Sequence, residues 1–185
     1  MLPKPCVIDV VDLSDQAGVY WRDCLDGHNT TTISIGGASN AIEQMVQMIL
    51  RETGGRPVLR CLAMWGHGAV DRDHNPLGIH LLAGGWDSQY HRSALTKDTV
   101  STLHASLIRL KQCFQPGARV EIRGCGAAGS QDGVEVMKML ASRWGVPVQA
   151  AKKNQPTMTW LPPVVEASPA GLIREVKGVE YNLRD

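Results

Sequence analysis

The chain has 185 residues, which suits one α/β domain with a sizeable core, and 19 basic against 18 acidic residues leave a net charge of +1. That balance carries no electrostatic footprint for nucleic acid or an acidic membrane, and no apolar run approaches the roughly 18 residues that span a bilayer. The start, MLPKPCVIDVV, lacks the basic and apolar regions of a secretory leader, and five scattered cysteines, an odd number, predict free thiols in a reducing compartment, the cytoplasm.

In chain order, 6–11 (CVIDVV) reads as a strand, 13–27 has no clear period, and 30–35 (TTTISI) reads as a second strand closed by Gly36 and Gly37. A helix is expected over about 39–53. Its apolar residues Ile42, Met45, Val46 and Ile49 recur at helical spacing, and Gly54 stands where a C-terminal cap belongs. Val58 to Trp65 are apolar without alternation, as in a strand covered on both faces. Residues 71–76 form a turn-rich loop, and 78–82 reads as a short hairpin arm. A second helix is expected over about 96–114, capped by Thr96, with Val100, Leu103, Leu107 and Leu110 buried and Pro116-Gly117 as the stop. The strand 119–123 follows, then a helix over about 130–144 with a capping box at Asp132 and Glu135 and with Val134, Met137, Leu140 and Trp144 inward. A strand at 146–150 and short strands at 157–161 and 172–176 complete the chain. Strands alternating with helices predict a three-layer α/β/α domain, a mostly parallel sheet with helices on both faces. The whole chain reads as a single domain, core about 6–153, with a loop and strand extension over about 154–185.

The chemistry concentrates where two strands end. Residues 119–133 (RVEIRGCGAAGSQDG) carry an alternating strand into a glycine-flanked cysteine, Cys125, followed by a helix start. The earlier strand ends at Gly66-His67-Gly68. In parallel sheets functional groups collect at the carboxyl ends of strands. A free thiol is only a few per cent thiolate at neutral pH. A nearby imidazole and a helix N-terminus both favour the reactive form. Gly124 and Gly126 leave room for a substrate backbone, and the N–H groups of Gly68 and Cys125 suit an oxyanion.

An apolar strand ending in His-Gly, then a helix, then an apolar strand ending in Gly-Cys resembles the caspase-like (clan CD) cysteine peptidases. These include caspases, metacaspases, gingipains, clostripain and the self-processing protease domains of large bacterial toxins. The likeness is nearest to bacterial domains reading SHG and YGCN…AG, and it covers about 6–153. Here those motifs stand as Trp65-Gly66-His67-Gly68 and Arg123-Gly124-Cys125-Gly126-Ala127-Ala128-Gly129. The caspase signature itself places a His about 50 residues before Q-A-C-[RQG]-G; this chain departs from it, with Arg123 for Gln, Gly124 for Ala and Ala127 for the last Gly. The resemblance implies a caspase-like sheet and cleavage of peptide bonds through a thioester, with Cys125 as nucleophile and His67 as acid and base. It calls for no metal and no cofactor. Its partners are a protein or peptide substrate, an activator protein or small effector, and a second copy of the chain at a sheet edge.

Arg123 precedes Cys125 by two, so on a strand it shares a side with it. In related peptidases that residue lines the pocket for the side chain before the cut, so Arg123 implies an acidic preference there. The alternative is an ion pair of Arg123 with Asp71, Asp73 or Asp132. Trp160, Lys152 and Lys153 are further pocket candidates by position. Two other readings stay open. Gly124 to Gly129 also fits G-x-G-x-x-G, a dinucleotide-binding turn, and a relative with this fold can be a non-catalytic protein-binding module. A metal site from Cys61, His67, His74 and His80 lacks any ligand-motif spacing.

Overall fold

The computed structural model describes residues 6–13, 16–26, 30–35, 40–70, 76–80, 94–155 and 160–177. Its centre is a seven-stranded sheet. The strands are β1 (Cys6–Asp12), β2 (Thr31–Ile35), β3 (Leu59–Trp65), β7 (Phe114–Arg123), β8 (Val148–Ala151), β9 (Val164–Ala167) and β10 (Ile173–Val176), in the order β10-β9-β8-β7-β3-β1-β2. The pairs from β2 to β8 are parallel, and β9 and β10 run antiparallel at one edge. Between β3 and β7 a small antiparallel sheet intervenes, β4 (Gly68–Val70), β5 (Pro76–His80) and β6 (Ala94–Leu95). The architecture is three-layer α/β/α with a mostly parallel sheet.

Helices cover the two faces unequally. On one face lie α2 (Ala41–Thr53), α5 (Gln131–Trp144) and the broken segment α3 (Lys97–Thr102), α4 (His104–Leu107) and a 3₁₀ turn at Ile108–Cys113. There Ile8, Val10, Leu62, Met64, Val120 and Ile122 of the strands join Ile42, Met45, Val46, Ile49, Met137 and Leu140 of the helices in one core. Each such side chain, fully buried, contributes about 1.5–3 kcal/mol. Gly54, at φ +60°, ends α2 by giving its N–H to the last turn, as the helix pattern predicted. The other face carries α1 (Gln16–Leu25), whose Leu25 and Trp21 pack on Val11, Ala63 and Trp65. Farther along, Trp160 packs on Ala151 and Val164.

This second face is polar where the first is apolar. One register row crosses all seven strands as Thr32, Asp9, Ala63, Glu121, Gln149, Glu166 and Arg174. Asp9 accepts the Trp65 indole N–H at 2.8 Å, and Gln149 donates to Glu166 at 2.7 Å. Buried polar groups are tolerated because they pair with one another.

Several expectations need correction. The helix expected over 96–114 is three short pieces, and its chain turns into strand at Phe114, so Pro116-Gly117 lies inside β7 and does not stop the helix. The α5 cap is Ser130, whose Oγ accepts the Gly133 N–H at 3.1 Å, and not Asp132 with Glu135. Val136 faces inward in place of the half-buried Val134. The sheet continues past 153 through β9 and β10, and β9 was not expected. Of the strand expected at 157–161, residues 157–159 lie outside the described residues, while Trp160 and Leu161 are irregular. Gly36, Gly37 and the loop 71–75 also lie outside them.

Candidate active site

β3 and β7 are neighbours in the sheet, and their last paired residues are Trp65 and Arg123. His67 and Cys125 each stand two residues beyond that pair, on strands that lie about 4.8 Å apart. The backbones touch there. A Cβ built on Gly68 would come within 2.1 Å of the Cys125 carbonyl oxygen, and one on Gly124 within 3.2 Å of the Gly66 carbonyl oxygen. The two glycine-flanked turns are therefore packed backbone to backbone. Gly124 is also filled over by Ile79 of β5, 3.0 Å from its ideal Cβ position, so its small size serves this close approach. Gly126 has φ +58°, the left-handed region, and turns the chain away immediately after Cys125.

Contacts fix the side of the sheet. The His67 ring meets Trp21 of α1, centroids 5.5 Å apart, on the face that α1 covers. Cys125 Sγ accepts the Gln155 N–H at 3.3 Å and lies 3.5 Å from the Gln155 carbonyl oxygen. Gln155 is joined to Leu161, next to Trp160, and Trp160 packs on that same face. His67 and Cys125 thus sit at one end of adjacent strands, both half-buried. The turn 126–130 separates Cys125 from the first residue of α5, and the N–H placed on the sulfur is that of Gln155, not one from the helix start.

Arg123 is on the expected side, but its charge is met within the chain. Its Nε and Nη2 donate to one oxygen of Glu121, at 3.0 and 2.5 Å, while Arg119 Nε donates to the other at 2.7 Å. Among the described residues the partner is thus Glu121; of the three aspartates considered from sequence, Asp132 pairs with Lys97 at 3.9 Å, and Asp71 and Asp73 lie outside the described residues. The guanidinium lies between two indoles, 4.1 Å from the Trp160 ring centroid and 5.3 Å from that of Trp65. Its side chain is 3% exposed and that of Glu121 is wholly buried. Trp160 is a buried lid on this arginine, and Lys152 points away to Glu175 at 3.2 Å; the Lys153 side chain is exposed. Gly68 opens β4, opposite Ile79.

No protein-family model matches the chain, and no curated protein is significantly similar to it. The site is therefore read from its own geometry.

The turn after Cys125 bears on the phosphate-binding alternative. Several N–H groups of the turn that would cradle a pyrophosphate are already engaged. Gly126 donates to Lys153 O, Ala128 to Ala151 O, Gly129 to Gly126 O and Gly133 to Ser130 Oγ, at 3.0, 3.0, 2.7 and 3.1 Å. Of the proposed metal ligands, Cys61 lies buried inside β3 and His74 is outside the described residues.

All five cysteines are free, and their settings differ. Burial pushes the Cys61 thiol far up, with the nearby Glu121 charge adding to it. Burial also raises Cys113 and Cys6. These three are held as neutral thiols. Sequence reasoning missed Glu121 and Gln155. Glu121 was findable, because Arg119, Glu121 and Arg123 alternate with Val120 and Ile122 and so share one face. Gln155 bears no sequence signal, since it reaches the sulfur through its backbone.

Proposed function

We propose that this domain is a caspase-like cysteine endopeptidase that hydrolyses peptide bonds of protein or peptide substrates through Cys125 and His67. The observation that supports the reading is the register of β3 and β7 with the close backbone approach beyond it, by which the turns Gly66-His67-Gly68 and Gly124-Cys125-Gly126 lie side by side.

Cys125 passes its thiol proton to His67, and its sulfur attacks the carbonyl carbon of the scissile bond, forming a C–S bond as the C=O π pair moves onto oxygen. The N–H groups of Gly68 and Cys125 receive the charge that develops on the carbonyl oxygen. The C–N bond breaks as His67 hands a proton to the leaving amine, and a thioester remains. Water, giving a proton to His67, then adds to the thioester. The C–S bond breaks, the acid product leaves, and the thiol is restored. The phosphate-cradle reading has less support, because the N–H groups of Gly126, Ala128 and Gly129 are taken up within the chain.

A peptide bearing a thiol-reactive ketone tests this reading, followed by mass mapping of the modified residue. The expected product carries the label on Cys125, and His67→Ala labels far more slowly. Labelling confined to the half-buried Cys24, or none at all, overturns it.

A further inference from the structure

The side-chain amide of half-buried Gln155 is engaged at both its donor and its acceptor. Its Oε1 accepts the Leu161 N–H at 2.5 Å. Its Nε2 faces the carbonyl oxygens of Lys153, Leu161 and Asn154 at 2.9, 3.2 and 3.3 Å. A carboxamide has the donor and acceptor of a peptide group, so this side chain pairs with Leu161 at two points as a neighbouring strand would. The same carboxamide thereby joins two parts of the candidate site. At one end the Lys153 carbonyl, which it bonds, also accepts the Gly126 N–H just after the cysteine. At the other, Leu161 follows Trp160, whose ring lies over Arg123. Between them the Gln155 backbone is set with its N–H on Cys125 Sγ.

We propose that Gln155 is a positioning residue for the Cys125 sulfur. Its side chain fixes the segment whose backbone N–H holds Sγ in place and stabilises it when charged. The inference rests on Cys125 being the nucleophile of the proposed function. In the neutral thiol, S–H can donate to the Gln155 carbonyl, a weak bond. In the charged form the N–H···S⁻ bond is charge-assisted and stronger. Loss of the side-chain staple frees this backbone from the sulfur while leaving the core untouched, because Gln155 packs in none of the hydrophobic clusters.

The test is the alkylation rate of Cys125 by iodoacetamide across pH, site-resolved by mass mapping, in wild type, Gln155→Ala and Gln155→Met. The methionine variant keeps side-chain length without either hydrogen-bonding function and serves where alanine fails to fold. The expected result is labelling about three- to tenfold slower at neutral pH, from loss of a bond to a charged group. The profiles should converge in strong alkali, where the thiol is charged in every variant. Labelling that is unchanged, or faster because the segment merely covered the thiol, overturns the proposal. The measurement is on the thiol alone, so its outcome is distinguishable from a failure to hydrolyse peptides.

Discussion

Arg123 gives two hydrogen bonds to a single oxygen of Glu121, two residues earlier on the same strand, and both side chains are buried. Arg119 binds the other oxygen at 2.7 Å. Removing the carboxylate takes away the buried anion that Arg123 binds beneath two indoles. Glu121→Ala should therefore lose about 3–5 kcal/mol of stability, read as the urea midpoint at constant slope. A loss under about 1 kcal/mol would show that this pair does not anchor the sheet face.

The contact between Gly68 and the Cys125 carbonyl admits no methyl group, since the ideal Cβ would lie 2.1 Å from that oxygen. Gly68→Ala must push the two strand ends apart. The expected cost is about 1–3 kcal/mol of stability. Activity should fall by about a hundredfold, the usual effect of misplacing reacting groups by an ångström. Full activity in a folded Gly68→Ala protein would separate the two turns functionally.

Cleavage preference follows from the same buried charges. Arg123 lies on the Cys125 side, yet Glu121 already balances it, so an acidic residue before the cut should be favoured only up to about fivefold, as for a weakly coupled ion pair. Glu121→Gln should strengthen that preference by removing a negative charge that offsets the guanidinium. A fluorogenic panel varied at that one position measures both. Preference for Arg or Leu over Asp and Glu removes Arg123 from the pocket.

The buried thiols make the fold sensitive to alkali. Burial raises the folded-state pKa of Cys61, Cys113 and Cys6, so the folded chain keeps protons that the unfolded chain releases. Their contribution is whole below an unfolded thiol's pKa, about 8.5, and is lost as pH climbs above it. Stability should fall by about 1.4 kcal/mol per pH unit for each thiol whose proton is retained. Urea titrations at neutral and alkaline pH measure the fall, which Cys61→Ala should reduce. An equal fall in Cys61→Ala would place the titrating group elsewhere.

Much of the scaffold was legible because it rests on periodicity. Ile42 to Ile49 on α2 and the unbroken apolar run of β3 sit as their patterns require. The segment 96–114 kept its buried Val100, Leu107 and Leu110 while breaking into short pieces, since burial of alternate turns does not demand one continuous axis. β9 was missed because Val164 and Val165 follow two prolines, which read as loop. At the site, two strand ends with glycine-flanked His67 and Cys125 were legible, because strand order follows from alternating elements. The partners of those ends were not. Glu121 reaches Arg123 along its own strand, and Gln155 arrives from a segment whose docking only the folded chain defines.

The central claim is that His67 and Cys125 act together on a peptide bond. Its most direct measurement is hydrolysis of a mixed peptide library by wild type, Cys125→Ala and His67→Ala, with folding of each variant checked by circular dichroism. The account predicts cleavage by wild type, none above background for Cys125→Ala, and a loss of at least about a hundredfold for His67→Ala. Cleavage that survives either substitution, or a wild type that cleaves nothing while Cys125 reacts equally well with and without His67, contradicts it.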